Sequence, residues 1–324
     1  MIPITEIVKG IFKIGPLDTH KDTAWTAPFL VVGEQRAAIV ELGEDGQAPD
    51  LLQAIGGHGE GQLDYDLNRI AYLIPSHIHL HHVRGVNELL KAIPKAKVVV
   101  HQRGVPHLIE PARLNASTAM VWGKGTGCAV ELTPVPKDRI MSVAGGEVLD
   151  LGGRELELIE TTGHAPHHIS IFDRRTRTLF PGDAAGAFFA GPGHERTRPD
   201  ILPPLFDVEK ELDSVRRLRA LKPSLLLVFG HNALSYSPDK TLQWLEEDIR
   251  AVERIVLDGM KKKTSSMEIG KLVHNYYNSV GIGYEDEATM RASEEAGGMR
   301  RTGEGPIGLY AYLIKKDPTL QMPK

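Results

Sequence analysis

Four apolar runs in this chain end alike, and that repeated ending constrains the fold more than any other feature. RIAYLIPS is followed by His77, RELELIETTG by His164, RTLFPG by Asp183 and SLLLVFG by His231. Short unbroken apolar runs suit strands of sheets that are buried on both faces. Gly163, Gly182 and Gly230 stand directly before three of the polar residues. There they allow tight turns and close backbone approach. Open α/β sheets place their ligands at the carboxyl ends of strands, which is where these imidazoles and this carboxylate fall.

The first ending is the densest. SHIHLHHVRG carries His77, His79, His81 and His82 within six positions. Residues two apart in an extended chain share a face, so His77, His79 and His81 are expected to project together. His82 falls where the loop gives way to a helix. Neutral nitrogen donors at this density suit zinc, iron, nickel or copper. A merely polar loop would leave the other three endings as coincidence.

The flanking segments are consistent with a layered α/β architecture. ITEIVKGIFKIG, PFLVVG and RAAIVELG read as hairpin-linked strands, followed by a helix around Pro49 to Ile55. RIAYLIPS, the helical VRGVNELLKAI and the strand AKVVVH form an α/β unit with the histidines at the end of its first strand. Strands return from Arg139 to Asp183, then the amphipathic helix DVEKELDSVRRLRALK leads into SLLLVFGH. Long helices dominate after Ser237, and IGLYAYLIKK is a last strand or buried helix. The expected architecture is two sheets sandwiched between helices.

Composition closes off other classes. With 324 residues, 41% hydrophobic and 25% charged, the chain suits one large domain or a domain with an extension. A net charge of -4 argues against nucleic-acid and anionic-membrane partners. The basic run Lys261 to Lys263 reads as a solvated helix end. A single cysteine, Cys128, excludes an intramolecular disulfide framework and a thiolate cluster. The start of the chain lacks signal-peptide character, and no apolar stretch approaches the ~20 residues that span a bilayer. A cytoplasmic location is the expectation.

The series HxHxxH, TGH, PGD and GH, in that order, resembles the metallo-β-lactamase superfamily over roughly residues 1 to 235. The resemblance implies an αββα sandwich with a two-metal site at the edge of its sheets. Residues 1–237 would form the catalytic domain, and 238–324 a mostly helical C-terminal extension packing on it. Carried over by position, His77, His79 and His164 hold the first metal, His82 and His231 belong to the second, and Asp183 bridges the two. The family pattern HxHxDH has an aspartate where this chain has His81; that aspartate normally binds the second metal and holds the attacking water. His81 either joins the second site as a neutral ligand or turns away and leaves that site weak.

The implied activity is metal-dependent hydrolysis of an ester-like bond in a small-molecule substrate: a thioester, lactone, carboxylic ester or phosphodiester. A metal-bound hydroxide, formed because the ion lowers the pKa of its water to about 7, is the nucleophile. His81 and Asp183 are the catalytic candidates. Two divalent ions are implied, zinc first, with iron and manganese compatible, and no organic cofactor. No GxSxG nucleophile motif competes with this reading. The rival is a di-iron redox protein that binds or reduces dioxygen or nitric oxide on the same fold. Against it, the first motif has no carboxylate and no flavodoxin-like domain follows residue 237. A homodimer is compatible with the sequence.

Other candidates are weaker. His168 matches a supporting position and is expected to hydrogen-bond behind the ligands, whereas His167 is either supporting or solvated. Tyr236, Phe188 and Arg84 are the substrate-binding candidates. Tyr236 would donate to an oxyanion or else pack, Arg84 would steer an anion or pair on a helix surface, and Phe188 with Phe189 would line an apolar wall or join the core. Trp244, Tyr276 and Tyr277 have core-like spacing. His20, His58, His101, His107, His194 and His274 read as structural or exposed.

Overall fold

The computed structural model describes residues 2–15, 28–43, 46–122, 131–188, 195–201, 205–228, 234–282 and 307–323. His231, Cys128 and Phe189 lie outside the described residues, as does the side chain of Phe188.

Seven strands form the first sheet in sequence order: β1 (Ile4–Val8), β2 (Ile11–Ile14), β3 (Phe29–Val32), β4 (Ala37–Val40), β5 (Ile70–Ile74), β6 (Lys97–His101) and β7 (Ile140–Val143). β1 to β4 are antiparallel; from β4 onward the pairings are parallel. The change follows from the connections. Short turns join β1 to β2 and β3 to β4, whereas α1 (Ala48–Gly56), α2 (Leu80–Val83), α3 (Val86–Ala92), α4 (Val105–Ile109) and α5 (Ala112–Trp122) cross over between the later strands.

The second sheet contains β8 (Val148–Asp150), β9 (Glu155–Glu160), β10 (Ile169–Asp173) and β11 (Thr178–Phe180), all antiparallel neighbours. A small hairpin of β12 (Ala187–Phe188) and β13 (Thr197–Arg198) follows. After α6 (Val208–Ala220), β14 (Leu225–Leu227) joins β11 in parallel and β15 (Leu234–Ser235) closes the edge. The chain then runs through α7 (Pro238–Lys261), α8 (Ser266–Ser279) and α9 (Ile307–Lys316). IGLYAYLIKK is therefore a helix.

Period-two alternation explains the layers. Phe29, Val31, Ala38, Val40, Ile74 and Val99 face across to Leu156, Leu158, Ile169, Ile171 and Phe180, filling the space between the sheets. Their neighbours Leu30, Ile39, Leu73, Val98 and Val100 point the other way, into α1, α3 and α4. On the second sheet Phe172, Leu179 and Leu226 point outward to α6, α7, α8 and α9. α7 presents Leu242, Leu245, Ile249, Val252 and Val256 at helical spacing to that layer. Each fully buried aliphatic side chain contributes about 1.5–3 kcal/mol, so this third cluster binds the C-terminal helices to the sheet as one hydrophobic unit. The result is the αββα order expected from the sequence.

Arg154 makes a buried polar link between the sheets. The buried Arg154 guanidinium donates to the carbonyls of Lys9, Gly10 and Val32 of the first sheet, and its Nε lies 3.5 Å from Asp173 of the second.

Candidate metal centre

β5 ends at Ile74, and the following turn carries His77 and His79 into the cleft above the sheet edges. The chain does not stay extended through His81. A helical turn begins at Leu80, with His79 at its N-cap, so His81 and His82 sit on α2 rather than in line with His77. This corrects the expectation that His77, His79 and His81 share one strand face. His81 nevertheless faces inward. Its Nε2 lies 4.0 Å from Asp183 Oδ2, so the alternative in which it turns away does not hold.

His164 follows β9 and Asp183 follows β11, and close packing makes both turns possible. Gly163 has φ +153°, and a Cβ there would overlap backbone and side-chain atoms of Glu211. Gly182 has φ +55°, and a Cβ would press on Ser76 and His168 at 2.5–2.6 Å. Only glycine fits either place.

The first donor group is His77, His79, His164 and Asp183. His77 Nε2 and His164 Nε2 lie 2.7 and 3.1 Å from His79 Nδ1. Asp183 Oδ2 lies 3.7 and 3.4 Å from the same two Nε2 atoms. A tetrahedral zinc site with bonds near 2.0–2.1 Å has edges of about 3.3 Å, within this spread. Two of the other ring nitrogens are committed: His164 Nδ1 bonds the carbonyl of Asp200 at 3.0 Å and His77 Nδ1 meets Ser76 Oγ at 3.0 Å. A carbonyl only accepts, so His164 Nδ1 carries the proton and Nε2 presents a lone pair to the centre. Converging lone pairs and a carboxylate fit a cation.

His81, His82 and Asp183 form the second group. His82 Nε2 is 3.3 Å from Asp183 Oδ2, and its Nδ1 is 2.9 Å from Glu41 Oε2. Burial opposes the charged imidazole, but the carboxylates of Glu41 and Asp183 outweigh it and raise His82 to about 10. For His81, burial and then the charge on His82 outweigh the pull of Asp183 and Asp200 and lower it to about 4. Burial would raise Asp183, yet His82 foremost holds it well below the usual carboxylate range. His77 and His79 are kept neutral chiefly by burial.

His168 anchors the turn that carries Asp183. The backbone N–H of Asp183 donates to His168 Nε2 at 3.2 Å, which leaves the proton on Nδ1. Nδ1 meets Thr161 Oγ1 at 2.8 Å, Thr161 meets Ser170 Oγ at 2.8 Å, and Ser170 donates to the Pro181 carbonyl at 2.9 Å. That chain ties the turn carrying Asp183 to β9 and β10. His167 is 9% exposed, lies beside the His79 ring with centroids 5.9 Å apart, and its Nδ1 has no hydrogen-bond partner among the described residues. It is not solvated.

Two acidic residues escape a reading of the sequence alone. Glu41 follows β4 in AIVELG, the same strand-end position that flags the ligands, and it is 4% exposed at φ 59°. Glu211 lies on the apolar face of α6 between Val208 and Leu212, and that misplaced charge is its signal. Its Oε2 accepts from the His164 backbone N–H at 2.7 Å. Burial raises Glu211 well above its ordinary value, and its hydrogen bond braces the backbone of His164.

The substrate candidates fare differently. Arg84 is 8% exposed, not a surface pair on its helix. Tyr236 is 69% exposed and so does not pack in the core; its backbone N–H donates to Glu195. Trp244 is half-buried under Arg196 and Lys240, Tyr276 bonds Asp248, and Tyr277 is buried. His101 is buried with Nε2 3.3 Å from Glu160, a structural role. Among the described residues no helix is long and apolar enough to cross a membrane.

Comparison with known proteins agrees with this geometry. The metallo-beta-lactamase fold-containing protein ST1585 of Sulfurisphaera tokodaii is 34% identical over 172 residues, 52% of this chain and 62% of that protein. An oxidase of reduced coenzyme F420 from Methanothermobacter marburgensis is 22% identical over 290 residues, 81% of this chain and 66% of its own length. The chain thus spans somewhat under two thirds of these relatives. The solved metallo-beta-lactamase family protein TTHA1429 of Thermus thermophilus superposes with a TM-score of 0.65 at 15% identity, covering 96% of this chain and 95% of that one. The profile of the metallo-beta-lactamase superfamily matches residues 26–231, and with the fold and the donor cluster in agreement, the chain belongs to that superfamily.

Proposed function

We propose that this chain is a metal-dependent hydrolase of an ester-like bond in a small molecule, working in the cytoplasm. The observation that supports it most is the first donor group: three ring nitrogens and one carboxylate oxygen converge while their outer atoms are tied to Ser76 and the Asp200 carbonyl. In this reading His77, His79 and His164 hold the first ion, His81, His82 and His231 the second, and Asp183 both. Zinc suits the nitrogen-rich set best, with iron and manganese as rivals. Such ions supply Lewis acidity and activate water for attack on a thioester, lactone, carboxylic ester or phosphodiester.

The chain's own residues divide the remaining work. His77, His82 and His164 are at most 1% exposed, whereas the His81 side chain is 25% exposed. His81, together with the half-buried His79, is therefore where a substrate meets the cluster. Held near 4, His81 is neutral at physiological pH and offers the second ion a lone pair without first losing a proton. Asp183 Oδ2 accepts from donors in the cleft and stays ionised. His168 fixes the Asp183 backbone so that this oxygen keeps its place.

A second reading, a di-iron redox centre, is favoured by the long match to the oxidase. Metal content with an absorption spectrum, measured beside turnover of nitrophenyl ester, thioester and phosphodiester panels, separates them. Zinc or manganese with turnover supports the hydrolase. Iron with visible absorption and no turnover of any panel member overturns it.

A further inference from the structure

Asp248 is fully buried on the apolar face of α7, beside Leu245, Ile249 and Val252. A carboxylate in that place needs partners, and two side chains supply them. Arg196 donates through Nε at 2.8 Å and through Nη2 to the other oxygen, and the Tyr276 hydroxyl of α8 donates at 2.5 Å. The Arg196 guanidinium also lies 5.6 Å from the centre of the Trp244 ring. One residue earlier, the Glu195 carbonyl accepts from Thr241 of α7 at 2.8 Å and its carboxylate from Ser235 at 2.9 Å. Two consecutive residues are thus gripped by the C-terminal helical region.

What they hold is the β12–β13 hairpin, and the hairpin touches both ends of the first donor group. Thr197 and Arg198 pair with Phe188 and Ala187. The Arg198 carbonyl packs so closely on Gly186 that a Cβ there would overlap it, and Leu245 of α7 covers the same glycine. Gly186 closes the turn that starts at Asp183, donating to its carbonyl at 2.9 Å. Two residues beyond β13, the Asp200 carbonyl receives His164 Nδ1. We propose that Asp248 is a positioning residue for the metal centre, acting through Arg196 and the hairpin to fix the ring of His164 and the turn of Asp183.

This rests on the reading that the first group holds a metal ion. Releasing Arg196 lets the hairpin slide on α7, and a small displacement of the Asp200 carbonyl deprives His164 of the partner that sets its ring. Loss of such an outer partner typically weakens metal binding about 10- to 100-fold.

The test is Co²⁺ binding by the full chain, read by chelator competition and by the ligand-field absorption spectrum. Asp248→Asn is expected to weaken the tighter site about tenfold and to alter its spectrum. Tyr276→Phe, which removes a single hydrogen bond, is expected to weaken it about threefold. Val256→Ala, in the same helix layer but without a bond to the hairpin, should lower the melting temperature and leave affinity and spectrum alone. Should Asp248→Asn not fold, Tyr276→Phe and Arg196→Lys carry the comparison. Folded clamp variants that bind Co²⁺ with parental affinity and spectrum would overturn the inference. A parent protein that retains no cobalt overturns the metal reading itself.

Discussion

The two donor groups share Asp183 but are built in opposite ways. The first draws His77 and His79 from the end of one sheet and His164 from the end of the other, so it exists only when the sheets are packed. Its outer contacts are a serine hydroxyl, a backbone carbonyl and the buried Glu211. The second takes His81 and His82 from one helical turn and depends on a buried charge, Glu41, behind His82. The first is made rigid by tertiary structure. The second is local, partly exposed and tuned by electrostatics. An ion in the first position is held by geometry, and in the second by the carboxylates on either side of His82.

The most severe way to break this contrast is Asp183→Ala, which removes the one carboxylate common to both groups. Loss of both bound ions and a fall in kcat/KM of about a thousandfold are expected, as several kcal/mol of transition-state stabilisation disappear. Retention of one tightly bound ion would show that the groups are independent. Glu41→Gln separates them more finely. It should weaken the second ion about 10- to 100-fold while leaving the first unchanged, as read by metal titration. Equal weakening of both would remove the distinction.

His81→Asp adds the negative charge that the second group lacks. Its second-ion affinity should rise about tenfold, a typical scale for one added charge near a site, and generic ester turnover should rise with it. A variant indistinguishable from the parent in both assays would show that the imidazole costs the site nothing.

The smallest effect is on stability after chelation. Burial, with the neighbouring imidazoles, holds His77, His79 and His167 low, His167 to about 3. Their folded values lie below the unfolded 6.5, so the stability they allow is present above 6.5 and is lost as pH falls toward 3. His82 runs the other way. Raised to about 10, it contributes stability present below 6.5 and lost as pH climbs through 10. The melting temperature of chelated protein should peak near the shared unfolded value of 6.5. A plateau reaching about pH 9 would mean that His82 and Glu41 are not an ion pair.

Much of this is legible in the sequence because strand ends announce themselves. Continuous apolar runs that end in a small residue and then a side chain able to bind metal locate His77, His164 and Asp183 without any knowledge of the fold. The unbroken apolar runs in RAAIV and KVVVH mark strands covered on both faces, which carries the layer order. The helical turn at Leu80 is hidden because HIHLHH satisfies a strand's period of two as readily as a helix start. Glu41 passes as an ordinary residue after a strand, its burial and positive φ being invisible in one dimension. Glu211 and Asp248 are marked only as charges on the apolar faces of their helices, a signal that stands out once each helix is laid against the core. The Asp200 contribution is a backbone carbonyl, which no side-chain pattern reports.

A single oxygen, Asp183 Oδ2, approaches His77, His81, His82 and His164 alike. Two cations seated on either side of it divide one negative charge, so each arrival lessens the welcome for the other. Thermodynamic reciprocity makes that penalty identical in both directions, whichever ion comes first. A loading isotherm for this protein should therefore show two separated steps rather than one cooperative sweep, and scarce metal should yield half-filled molecules.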